Sequence, residues 1–439
     1  MTQRKMKDSG VVWIGQVPEG WNSSRIKYVI KERVGGAWGN DPSEETGENV
    51  ICLRIADFDF ERGVFKNTDE GSLTVRNYTK RQASLLGLKL GDILVEKSGG
   101  GDTCPVGRCV LFDKSYKALF ANFMDRLRAD DALCVARFLQ YWWKMMYLQK
   151  VTWLYVKQTI GIQNLSLTNL LNTELVALPS LPEQRKIAAF LDGECGKIDV
   201  LRGKVEKQIA ALEEYRKSVI TEAVTKGIKR GRKMKPSGVE WIGEVPDGWT
   251  VTRAKYHIFV KSNLVPPDEY LDFPQISPES IEKGNGHLGK WCTVEEACVE
   301  SGNHLFRKGQ ILYSKIRPVL NKVVIAPFDG LCSADMYPIE TSEDVKFVLY
   351  LMLSDYFVSQ VELVTRDRIK MPKINQSELG NVKVVFPSIS EQREIAAYLD
   401  KKCAAIDSMV AKCREELDRL AEYKKSLIYE YVTGKKEVA

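Results

Sequence analysis

The sequence predicts an α+β protein in which two pseudo-repeated globular α/β modules are separated by a long antiparallel two-helix coiled coil. Three observations predict it. A tryptophan–proline segment near the start recurs 228 residues later. A long heptad-patterned stretch also occurs twice. Each copy of that stretch follows a region of short apolar runs broken by glycine-rich turns.

The first heptad stretch opens with Ser180-Leu-Pro-Glu183, a capping box with proline in the first turn, so a helix begins there. Apolar residues recur every seventh position at Leu191, Ile198, Val205, Leu212 and Val219. A second row four residues earlier holds Ile187, Leu201 and Tyr215, interrupted by Glu194 and Gln208. From Ser388 the chain repeats the cap (Ser388, Glu391) and the seam, now Leu399, Ile406, Cys413, Leu420 and Leu427, with Ile395, Met409 and Tyr423 in the second row. Two separate amphipathic core helices are the alternative; matched length, cap and seam favour one intramolecular pair. At 1.5 Å per residue each helix is roughly 70 Å long, too long for one compact domain. The second helix starts from the module built where the first ends, so pairing requires it to run back antiparallel, as a dumb-bell. Ile187, Ile395 and nearby apolar positions cannot all face one seam, so the outer faces of the helices are expected to cover partner proteins.

The tryptophan–proline segments are Ser9–Trp21 and Ser237–Trp249. They read as structural clasps in which Trp13, Pro18 and Trp21 bury apolar area; base stacking by the tryptophans is the other reading. The expected division is a first module at 1–179, a helix at 180–227, a basic linker with the second module at 228–387, a second helix at 388–434 and a tail at 435–439. Strands are expected at Asn49–Ile55, Ile93–Val95 and Arg108–Phe112, and a core helix at Ala132–Leu148. The second module should hold strands at Gln310–Ser314 and Lys322–Ala326 and a helix at Val345–Val361. Leu90-Gly-Asp-Ile-Leu-Val95 parallels Lys308-Gly-Gln-Ile-Leu-Tyr313, and Lys157-Gln-Thr-Ile160 lies about where Arg366-Asp-Arg-Ile-Lys370 lies. One scaffold therefore carries two different middles.

Net charge is +6 with 44% hydrophobic residues, an ordinary globular composition that only hints at an anionic partner. No apolar run approaches a membrane span, and the opening MTQRKMKDSG lacks the form of a signal peptide. With ten scattered cysteines and no Cys-x-x-Cys, the expectation is a cytoplasmic protein with reduced thiols. Six of the ten residues in Lys226–Lys235 are basic. That stretch is either a solvated linker or a strap on phosphates.

No active site is legible. Gly284-Asn-Gly-His-Leu-Gly289 follows a polar stretch rather than a buried strand, so it reads as a turn and not a dinucleotide fingerprint. Asp92-Ile-Leu-Val-Glu96-Lys97 resembles a metal-dependent nuclease string, but Glu96 and Lys97 would face opposite sides of a strand. Gly99-Gly-Gly101 lacks the ending of a phosphate loop, and the three histidines have no partners at metal spacing. What remains is basic loops beside glycines or strand ends: Lys97, Ser98, Arg108, Lys157 and Gln158 in module one, and Lys315, Arg317, Arg366, Arg368 and Lys370 in module two. Singly, each is ordinary surface charge. As clusters at corresponding places in both copies they point to DNA, with arginine and glutamine reading base edges and lysines holding phosphates.

The paired clasp Ser-Gly-x-x-Trp-Ile-Gly-x-Val-Pro-x-x-Trp, the paired Glu-Gln-Arg-x-Ile-Ala and the paired long helix resemble the specificity subunit of type I restriction–modification enzymes. The likeness spans nearly the whole chain and is weak inside the two modules. It implies two target-recognition domains, each reading one half of an asymmetric bipartite site in double-stranded DNA. It also implies a helical spacer that docks two modification (methyltransferase) subunits, with restriction (motor/nuclease) subunits joining for cleavage. This chain would be non-catalytic and hold no cofactor; S-adenosylmethionine and ATP/Mg would belong to the partners. A coiled-coil scaffold that binds only proteins is the alternative, and an unrecognised enzyme is a further one.

Overall fold

The computed structural model describes residues 4–44, 46–66, 69–159, 161–368 and 370–438; Ile160 and Ile369 of the basic loops lie outside them. Among these residues eight α-helices form: α1 (Lys80–Leu86), α2 (Ala136–Leu148), α3 (Leu167–Thr173), α4 (Leu181–Lys226), α5 (Val345–Leu353), α6 (Asp355–Thr365), α7 (Gln376–Asn381) and α8 (Ile389–Val432). The chain divides into two compact units, Met1–Val205 with Glu415–Ala439, and Glu206–Arg414. Each of α4 and α8 contributes one part to each unit.

In the first unit a four-stranded antiparallel sheet has the order Cys109–Leu111, Ile93–Glu96, Met124–Ala129, Ile30–Gly35. The second unit repeats this order with Val323–Ile325, Ile311–Ser314, Met336–Thr341 and Ile258–Val260. The parallel pair Glu48–Leu53 with Ala118–Phe120 likewise recurs as Pro274–Ile276 with Gly330–Cys332. Ile93–Glu96 and Ile311–Ser314 are buried at every position, which is why they read as short apolar runs. In unit one, α2 lays Phe138, Trp142 and Met145 into the core; in unit two, α5 and α6 supply Phe347, Leu351 and Phe357. The helix expected over Val345–Val361 is broken, with α5 and α6 bent by 59°. Ser354 sits at the break in extended backbone, with its buried hydroxyl donating to the Leu351 carbonyl at 2.5 Å. A serine followed by aspartate ends one helix and starts the next.

The clasps show how the repeat is built. Trp21 is buried and its Nε1 donates to Glu183 at 3.3 Å; Trp249 does the same to Glu391 at 3.3 Å. Arg4 joins Glu183 and Arg232 joins Glu391. The capping boxes are therefore only half formed. Ser180 and Ser388 accept from the glutamate N–H groups at 3.4 Å, but the two carboxylates turn to indole and guanidinium. The following glutamines bridge to the domain bodies: Gln184 accepts from the N–H of Val135 at 2.7 Å, and Gln392 from that of Asp344 at 2.9 Å. Buried as they are, Trp21 and Trp249 have no face to offer a base.

Within each unit the parts of α4 and α8 run antiparallel. In unit one Phe190 packs on Tyr431 at 4.4 Å and Asp199 takes Lys424 at 2.6 Å; in unit two Asp407 takes Arg216. Of the seam residues, Leu191, Ile198, Val205, Val219, Leu399, Ile406, Cys413 and Leu427 are buried, while Leu212 and Leu420 are half-buried. The second row is not the one expected. Leu201, Tyr215, Met409 and Tyr423 are exposed, and the buried or half-buried row lies four residues after the seam: Cys195, Arg202, Ile209, Arg216 and Ala223, then Cys403, Val410, Leu417, Lys424 and Tyr431. Three of these ten are cations, and that hid the row from an apolar pattern. Ile187 and Ile395 are not left over for a partner either; each is buried in its own unit's core.

Candidate nucleic-acid interface

In unit one, Ser98–Gly99, Ile162–Leu165 and Val156–Thr159 form a three-stranded antiparallel sheet with the 162–165 strand in the middle. A hairpin makes this possible: Gly161 at φ 76° supplies the left-handed turn residue. Ser98 faces Asn164, and Asn164 faces Lys157; Gly99, Gln163 and Gln158 make the next row. Because side chains alternate, Lys157 and Asn164 share the outward face and Gln158 lies on the opposite one. Ser98 Oγ donates to Asn164 Oδ1 at 2.7 Å. Gln163 is buried and its Oε1 accepts from the Val106 N–H at 3.4 Å, tying the hairpin to the body.

The five nominated residues thus separate by surroundings. Lys157 and Gln158 are exposed and make no side-chain hydrogen bond or ion pair among the described residues. Lys97 is held on the buried Asp125 at 2.7 Å, where Arg33 also binds. Arg108 grips the buried Glu96 through two hydrogen bonds of 2.7 and 2.8 Å and lies 4.2 Å over the Phe60 ring. Burial alone would lower its pKa, but the Glu96 carboxylate raises it above the ordinary arginine value. That pairing ties Arg108 to the body of the unit. Asp92 is likewise consumed, by Arg128 at 2.7 Å. Asn164 was missed by sequence reasoning, although Gly161 followed by Ile-Gln-Asn-Leu carries a hairpin signal.

Unit two preserves the frame and alters the surface. The Lys97 carbonyl accepts from the Leu165 N–H at 2.8 Å, and the Lys315 carbonyl from the Ile374 N–H at 2.9 Å. Among the described residues, however, a single bridge joins Ile316 to Lys373 in place of a hairpin. Arg317 is exposed in left-handed backbone (φ 44°), its N–H bonded to the Pro372 carbonyl at 2.7 Å. Lys315 Nζ sits 5.5 Å over the Tyr337 ring. Arg366 and Lys370 are exposed, whereas Arg368 is committed to Glu378 and to the Lys373 carbonyl. The Arg368 hydrogen bond holds the Glu378 carboxyl below its ordinary value, though burial opposes it. In the linker, Lys229 pairs with Glu394 at 2.7 Å and Arg232 with Glu391, so part of it is fastened to α8. Lys226 and Arg230 are exposed.

Among the described residues no group of three histidine, cysteine or acidic side chains could hold a metal ion, and no single helix is long and apolar enough to cross a membrane.

Residues 256–418 match the family model described as type I restriction modification DNA specificity domain. The EcoDI specificity subunit of Escherichia coli is 31% identical over 59% of this chain, which spans 62% of that relative's length. The putative MjaX specificity subunit of Methanocaldococcus jannaschii is 22% identical over 96% of this chain and 95% of its own. A chain solved in work on complex assembly and conformational transition of the type I R-M system shares the fold, with a TM-score of 0.67 at 16% identity over 96% of this chain and 99% of that one. The likeness drawn from the repeated clasps and helices is thus shown: this chain is similar to type I restriction–modification specificity subunits, and residues 256–418 match their DNA specificity domain.

Proposed function

We propose that this chain is the sequence-reading subunit of a type I restriction–modification complex. The target-recognition domains are residues 1–179 and 228–387, each reading one half of an asymmetric bipartite site in double-stranded DNA. The helices at 180–227 and 388–434 set the gap between half-sites and dock two modification subunits. The observation that carries this reading is the conserved frame with divergent surfaces: one hydrogen-bond pattern around Lys97 and Lys315 presents a hairpin in one unit and a left-handed arginine loop in the other. Exposed Leu201 and Tyr423 in unit one, and Tyr215 and Met409 in unit two, supply apolar positions two heptads apart on each helix for the modification subunits. In this reading the chain is non-catalytic and cytoplasmic. S-adenosylmethionine and ATP/Mg belong to the modification and restriction subunits.

The test is selection of bound duplexes from a random-sequence pool by the assembly that copurifies with the chain, repeated at several salt concentrations. The expected result is a two-part site with an unspecified gap and affinity that falls steeply with salt. Recovery of no sequence preference would favour a scaffold that binds proteins only.

A further inference from the structure

Resting on the DNA-reading function just proposed, we infer that Asn164, held by Ser98 in the outward row of the first unit's hairpin, reads an adenine edge in the major groove. Three features lead there. First, Lys157, Gly161, Ile162 and Asn164 are all exposed, and beyond the rows that Ser98–Gly99 shares, the tip of the Val156–Thr159 and Ile162–Leu165 hairpin continues as a two-stranded ribbon. The major groove of B-form DNA admits a two-stranded ribbon. Second, the Ser98 hydroxyl occupies one lone pair of Asn164 Oδ1 at 2.7 Å. The amide plane is thereby fixed, with the second lone pair and the Nδ2 hydrogens left to a ligand. Those two groups match the N6 donor and N7 acceptor of adenine, the pairing asparagine makes bidentately. Third, Lys157 stands directly across the strand pair from Asn164 on the same face, one residue-width away for a phosphate. Gln163, buried behind, anchors the ribbon to the Val106 N–H. Among the described residues, unit two has a single bridge at the corresponding place, so the amide reader is proposed for the first unit's half-site.

Ser98 acts through Asn164 and is a positioning residue. It leaves the base preference at that position intact but sharpens it, so Ser98→Ala should blunt discrimination there without moving it elsewhere.

The experiment uses the assembly in which the full chain purifies, with duplexes carrying the selected site and 7-deazaadenine placed at each adenine in turn. That analogue keeps base pairing and removes the N7 acceptor. At one position of one half-site the parent protein should lose roughly 5- to 150-fold in affinity, while Asn164→Ala is indifferent to the replacement there. Asn164→Asp keeps the shape but accepts only, so preference at that position should move from adenine toward cytosine, whose N4 donates. An unchanged preference at the other half-site shows that either variant is folded. Asn164→Ala and Asn164→Asp both keeping the parent's base preference at every position would overturn the inference and leave the proposed function standing. A parent protein that selects no sequence at all would overturn both.

Discussion

Exposure alone does not separate the cations of this protein; what each one faces does. Arg108 and Lys157 are both basic residues near the same hairpin, yet Glu96, with a side chain only 1% exposed, depends on Arg108 for its partner. Arg108→Ala should therefore cost about 3 kcal/mol by stranding that carboxylate. Lys157→Ala should stay within about 0.5 kcal/mol of the parent, while weakening binding to all DNA sequences alike and reducing the salt slope by about 1. Thermal melting and salt-dependent binding on the two variants separate the roles, and equal melting temperatures would refute the assignment of Arg108. Arg368 carries a similar duty in unit two. Its hydrogen bond lowers the Glu378 pKa below the ordinary 4.5. The stabilisation it brings is full above that value and is lost as pH falls through the depressed one. Arg368→Ala should move the Glu378 titration, followed by NMR, back up, whereas Arg366→Ala should leave it in place.

At the scale of the element, the long helices are held by a seam that admits charge. Lys424, with a side chain 7% exposed, sits on Asp199 in unit one, and Arg216, 9% exposed, sits on Asp407 in unit two. At these two positions the residue type thus answers to a carboxylate on the facing helix. Removing Lys424 leaves the half-buried Asp199 carboxylate without its partner, so Lys424→Ala should destabilise by about 1–3 kcal/mol. The double variant Lys424→Met with Asp199→Leu should be neutral or up to about 4 kcal/mol more stable than the parent. Urea midpoints give the order directly, and a double variant weaker than the single one would show that the ion pair specifies the helix pairing. In the proposed assembly the exposed row of Leu201, Tyr215, Met409 and Tyr423 is what the modification subunits cover.

Across the whole molecule, the proposed function makes the helices a ruler. Inserting one heptad after Val205 and one after Cys413 keeps the seam in register and lengthens each helix by about 10.5 Å. That is roughly three base pairs along the duplex, with about 100° of added rotation. Half-site sequences should persist while the preferred gap grows, at some loss of affinity from the changed phase. A methylation assay of the assembly on substrates differing only in gap length reads the outcome. An unchanged gap in a folded, partner-bound insertion variant would reduce the helices to a docking surface.

The duplication, both long helices and the places where they start were legible in the sequence, because each rests on local periodicity or on literal repetition, and the antiparallel run followed from connectivity. The capping boxes held only by half, since Glu183 and Glu391 turn to the clasp. The clasps were legible for the same reason, Trp21 and Trp249 recurring in one string. The tertiary structure alone decided which polar residues are free. Lys97, Arg108 and Arg368 look like Lys157 and Arg366 in a linear reading, but Asp125, Glu96 and Glu378 lie 28, 12 and 10 residues away from their partners and reach them only through sheet pairing and loop closure. The same holds for Asn164, which becomes a candidate reader only when the hairpin brings it against Ser98, 66 residues distant. It also holds for the inner row of the helices, where Arg216 and Lys424 look like surface charge until the facing helix is in place. Apolar burial leaves a periodic trace along the chain; the pairing of charges and amides is set by what the fold places opposite them.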